Sequence, residues 1–177
     1  IADTITTIPS YIRLLENVNH ELYNGHIGLN TNLPSSNRLI PTGADLWVEY
    51  KNRQFIISTI RSGFNAEACG LKPGMRILRF NDEPIDSAVI RFLPRSVSVY
   101  DARMYEYAAN MLLAGTHDTK RIITVAFAND ERTFFPDSIP NKTADDYVSL
   151  LEYRTISPGI GYIKINNSLG NTDLIKN

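Results

Sequence analysis

Cysteine is all but absent from this chain. Cys69 is the single one in 177 residues, which excludes an internal disulfide and a cysteine-based zinc site. Histidine is sparse as well: His20, His26 and His117 show no paired i, i+4 spacing and no clustered acids, so no metal signature arises. No apolar run approaches the length of a membrane span, and the first residues carry no signal-peptide pattern. A formal net charge of −1 gives no field to draw nucleic acid or an anionic membrane. No cofactor is expected. Ile1 in place of an initiating Met is expected of a processed chain.

Apolar residues make up 43% of the chain, enough for a packed core in one large or two small domains. The densest signals lie between Gly63 and Ile85. Asn65 is placed to cap a short helix built from Ala66, Glu67 and Ala68, and Gly70 stands where a helix ends at positive φ. Pro73 and Gly74 are the two corners of a type II turn. Ile77, Leu78 and Phe80 form a short strand, Asn81-Asp82-Glu83 turns the chain before Pro84, and Ile85 re-enters the core. Cys69, beside Leu71, reads as a small core residue. No catalytic group is needed for any of this.

Upstream, Ile8, Tyr11, Ile12, Leu15, Val18 and Leu22 recur at helical spacing, with Pro9 in the first turn and Gly25 as the stop. Leu46 to Tyr50 and Gln54 to Ile60 read as strands around the polar turn Lys51-Asn52-Arg53. A helix is expected from about Ser98 to Ala114, with Tyr100, Met104, Ala108, Met111 and Leu112 on one face and Gly115 at its end. Arg121 to Phe127 is β-branched, Asn129-Asp130 begins a turn into Thr133-Phe134-Phe135, and Pro136 to Asn141 is linker-like. Tyr147 to Thr155 leads through Ser157-Pro158-Gly159 to an alternating strand, Ile160 to Ile165. As an apolar strand without a partner, it favours a fragment over a complete adaptor. Asp130-Glu131 and Asp145-Asp146 diverge as neighbours and read as solvated surface.

Phe64-Asn65-Ala66-Glu67-Ala68-Cys69-Gly70-Leu71-Lys72-Pro73-Gly74 and Phe80-Asn81-Asp82-Glu83-Pro84-Ile85 resemble the bacterial, circularly permuted PDZ domain, which commonly reads SPAxxAGLKPGDxIxxINGxPV. Met75 stands where an acid is usual. Ile160-Gly161-Tyr162-Ile163-Lys164-Ile165 resembles the strand that opens the catalytic core of S41 serine peptidases, the carboxyl-terminal-processing and tricorn-like family. Leu22-Tyr23-Asn24-Gly25-His26 is similar to that family's L-x-D-G-H before the PDZ domain, with Asn24 in place of the acid. The resemblance implies an α+β chain. Its parts are a helical N-terminal segment (residues 1–38), a circularly permuted PDZ-like β-barrel with two helices (residues 39–135), and a linker with the first strands of an α/β peptidase core (residues 136–177). It also implies a secreted, periplasmic or cell-envelope serine endopeptidase acting on peptides or unfolded proteins. The nucleophilic Ser and its Lys or His base would lie outside this chain, so no catalytic residue is assigned here. The alternative is a stand-alone PDZ-like adaptor without protease activity.

Such modules bind an extended peptide as an added strand, with loop N–H groups holding its carboxylate. The resemblance places the candidate loop at Thr42, Gly43, Ala44, Asp45, Leu46 and Trp47, and the candidate wall on the helix carrying Asp101 and Tyr105. Asp45 replaces a glycine and is expected to face the incoming carboxylate. Like charges about 4 Å apart repel by roughly 4 kcal/mol at an effective dielectric near 20, so weak or no carboxylate recognition is expected. Ser168 reads as a loop hydroxyl without a base. His26 reads as a ring packed at a helix end, and His20 and His117 as exposed.

Overall fold

The computed structural model describes residues 5–29, 31–40, 43–128, 130–139 and 151–165. They belong to two compact units, Ile1–Pro140 and Asn141–Asn177.

Thr7 starts the first helix, α1 (Ile8–His20), through a capping box. Its hydroxyl accepts the Ser10 N–H at 3.2 Å, and the Ser10 hydroxyl accepts the Thr7 N–H at 3.1 Å. The helix ends at His20, short of Gly25. Its expected apolar stripe docks only in part: Ile12 is buried and Leu15 half-buried, but Ile8 is 77% exposed, and Tyr11, Val18 and Leu22 are also exposed. The docking row is Ile12, Glu16 and His20, spaced i, i+4, i+8, which shares Ile12 with that stripe and continues through polar residues. Ile12 is buried, Glu16 accepts the Ser36 hydroxyl, and His20 packs edge-on to Phe92 at 5.1 Å.

Strands β1 (Leu46–Lys51) and β2 (Gln54–Ile60) form a hairpin closed by Asn52 and Arg53, both at positive φ. That is the turn whose twist matches paired strands. Next comes α2 (Asn65–Ala68), which Asn65 begins but does not cap. Glu67 reaches back instead and accepts the Gly63 N–H at 2.7 Å. Gly70 at φ +99 and Gly74 at φ +88 adopt the conformations read from the sequence, and the Met75 N–H closes the Pro73-Gly74 turn onto the Lys72 carbonyl at 3.4 Å. Strand β3 (Arg76–Phe80) turns through Asn81 and Asp82 into β4 (Glu83–Pro84) and α3 (Ile85–Ala88), and a 3-10 turn spans Val89–Phe92.

The long helix α4 (Ala102–Ala114) begins later than its apolar pattern suggests, because the Asp101 carboxylate caps it by accepting the Met104 N–H at 2.9 Å. Strands β5 (Ile123–Phe127) and β6 (Asp130–Phe134) follow. The sheet order is β1-β2-β3-β5-β6, with β4 beside β3 and every pairing antiparallel. Leu46, Val48, Phe55, Ile57, Ile77, Ile123 and Val125 from the sheet meet Ala108, Leu112 and Leu113 from α4 in one core. Cys69 is half-buried and packs against this core, its thiol donating to the Ala66 carbonyl at 3.2 Å, and burial raises its pKa.

The chain is therefore α+β, but the expected barrel does not close among the described residues. β1 and β6 stay at opposite ends of the strand order, and α4 covers the outer edge of β1. The stretch after β6 is no free linker either: Pro136–Ser138 forms a 3-10 turn and Pro136 is buried.

In the second unit, β7 (Leu151–Ser157) pairs antiparallel with β8 (Ile160–Ile165) around Gly159 at φ +82. The strand expected to be unpartnered thus has a partner. Tyr153 pairs with Ile163 on one face, and both are exposed. Glu152–Lys164 at 3.6 Å and Arg154 over Tyr162 at 5.0 Å share the other. Asp145, Asp146, Tyr147, Asn166, Asn167, Ser168 and Leu169 lie outside the described residues.

Candidate functional site

The loop entering β1 is held from below. The Gly43 N–H donates to the Leu39 carbonyl at 2.6 Å, and a Cβ at Gly43 would meet Arg38 Cβ at 2.9 Å. Thr42 lies outside the described residues; Ala44 and Leu46 are buried. Asp45 does not face solvent. It is 4% exposed and turned inward, where it accepts the Ala66 N–H at 3.0 Å and a bidentate pair from Arg121, Nη1 to Oδ1 at 2.6 Å and Nη2 to Oδ2 at 3.0 Å. The charge expected to repel an incoming carboxylate is neutralised inside the fold and does not face the loop's outer side.

Arg121 is the centre of this network and is 2% exposed. Besides Asp45, its Nη1 donates to the Leu113 carbonyl at 3.1 Å, and Nε and Nη2 donate to Asp137 at 3.0 and 2.8 Å. All five guanidinium hydrogens are thereby used. Arg38 braces Asp137 from outside with two bonds of 3.2 Å. Burial disfavours the Arg121 charge, but the two carboxylates outweigh it and raise its pKa. This network fastens the β1 loop, the end of α4, the entry to β5 and the Pro136–Ser138 turn to one another.

Beyond the loop, the outer edge of β1 meets α4. The Val48 N–H donates to Asn110 Oδ1 at 2.9 Å, while Asn110 Nδ2 returns a bond to the Val48 carbonyl at 3.4 Å. The Tyr50 N–H donates to Glu106 Oε1 at 3.1 Å. These pairings run β1 and α4 antiparallel. Tyr105 stacks on Tyr50 at 4.6 Å, so Tyr105 and the cap Asp101 stand at the far end of the edge from Gly43–Leu46. The sequence-derived loop and wall bound two ends of one edge and do not converge on a point. Trp47, half-buried on β1, lies under the Arg61 guanidinium at 5.2 Å.

Arg121, Asp137, Glu106 and Asn110 escaped the sequence reading. Glu106 and Asn110 left a signal there, two polar residues at i, i+4 beside the apolar face of a helix. The Arg121–Asp45 pair, 76 residues apart, left none.

Among the histidines, His117 and His26 are exposed, so the expected packing of His26 is absent. His20 is half-buried, its Nδ1 at 2.9 Å from the Tyr107 hydroxyl, and burial lowers its pKa against the opposing charges of Glu16 and Glu21. It borders a cleft of about 220 Å³ between α1, the segment after it and α4. Polar groups there pair with one another: Arg13 with Ser35, Ser36 with Glu16, His20 with Tyr107. Among the described residues no cluster of His, Cys, Asp or Glu could hold a metal ion, and no helix is long and apolar enough to cross a membrane. Comparison with known proteins finds no matching family model and no matching curated protein.

Proposed function

We propose that this chain is the N-terminal and PDZ-like part of an S41-type serine endopeptidase, which takes hold of extended peptide or unfolded protein for a catalytic core whose nucleophile and base lie outside these residues. One observation carries the reading. Helix α4 runs antiparallel along the outer edge of β1, directly after the fastened loop Gly43–Asp45, so a peptide added to β1 lies between a strand and a helix. Main-chain pairing supplies affinity in that mode, and alternate side chains supply specificity. The residues quoted above for the PDZ and S41 resemblances supply the parent activity and a secreted or cell-envelope setting.

The loop offers a terminal carboxylate little. The Gly43 N–H is bonded to Leu39, and Ala44 is buried. Free-acid and amidated forms of one peptide are therefore expected to bind within about twofold of each other by calorimetry. A strong preference for the free acid would overturn internal strand addition. A second reading, a structural domain that binds no peptide, is favoured by the same three bonds between α4 and β1, because they leave that stretch of edge satisfied without a ligand.

A further inference from the structure

Two residues of a strand advance about 6.8 Å, and four residues of a helix about 6.0 Å. Val48 and Tyr50 are two apart on β1, and Glu106 and Asn110 are four apart on α4. The helix face thus repeats at nearly the spacing of the strand's outward N–H groups. The Asn110 carboxamide both accepts from and donates to Val48, as the peptide group of a neighbouring strand would. A peptide added to β1 needs these same backbone groups.

Resting on the peptide-binding reading above, we propose that Glu106 and Asn110 form a latch that closes the β1 edge, so that a ligand binds only by displacing both side chains. The latch takes the place of a carboxylate-reading loop as the control on binding: it exposes the edge only when something competes for Val48 and Tyr50. It also keeps an unpaired strand edge from pairing with other chains.

The test uses the whole chain, in wild-type form and as Glu106→Ala, Asn110→Ala, the double variant and the conservative Glu106→Gln. Amide exchange by NMR is measured first. Glu106→Ala is expected to expose the Tyr50 amide and Asn110→Ala the Val48 amide, while Ile57 in the core stays protected and Glu106→Gln behaves as wild type. A decapeptide selected from a random library against the double variant is then titrated into every form. Glu106→Ala is expected to tighten binding by about two- to tenfold, the exchange value of one hydrogen bond, and Asn110→Ala, which frees two, by at least as much. Equal affinity in all forms, with Val48 and Tyr50 already exchanging freely in the wild type, would overturn the latch and leave the binding reading standing. Freed amides with no peptide selected would overturn the binding reading, and the latch as a regulator with it.

Discussion

Burial alone would raise the pKa of Asp137, yet hydrogen bonds from Arg121 and Arg38 hold it at about 2, against 3.8 for the free side chain. Its folded pKa lies below its unfolded one, so its contribution to stability is complete above about pH 4 and is lost as pH falls toward 2. The urea midpoint is expected to drop across that window, and Asp137→Asn is expected to flatten the drop while lowering the midpoint at neutral pH. A wild-type midpoint unchanged between pH 4 and pH 2 would contradict the network's role. At this scale the sequence was half legible. Gly115 stood out as a helix stop, but its full cause did not: at φ +72, a Cβ there would also lie 2.8 Å from Arg121 Cγ and Cδ. Asp45 is legible in its position and not in its direction, because its partner Arg121 lies 76 residues away.

Among the elements, those set by neighbouring residues were readable and those set by packing were not. Pro73-Gly74, Gly70 and the Asn81-Asp82 turn carry their conformations in their own backbone preferences. The α1 stripe does not, since periodicity defines a helix face without naming what covers it. Its docking row places His20 among Phe92, Tyr107, Glu16 and Glu21. Burial lowers the His20 pKa below 6.5, so the docked helix keeps its full stability above that pH and loses it as pH falls through the folded value. The Arg95 and Ser96 amides, each 2.8 Å from the Glu21 carboxylate, report this directly. Their protection factors are expected to fall in wild type as pH drops below about 6.5 and to change less in His20→Gln. Unchanged wild-type protection would show that His20 does not hold α1 in place.

The sheet as a whole has two ends, treated differently. β6 carries Asp130, Glu131 and Arg132, all exposed, the charged side chains that blunt an edge against pairing. β1 carries Trp47, the chain's single tryptophan, and is closed by polar side chains that a competing backbone could replace. The antiparallel hairpins and the α+β composition were readable from turn residues and alternation. The open edge was not, because whether a sheet closes depends on which groups satisfy its outermost N–H bonds. Entry of peptide at β1 is read out by mapping amide chemical shifts during a titration with the selected decapeptide. Val48 and Tyr50 are expected to move first and furthest, with Trp47 emission changing in step; shifts confined to Arg132 and Thr133 on β6, with β1 unmoved, would rule out entry at β1.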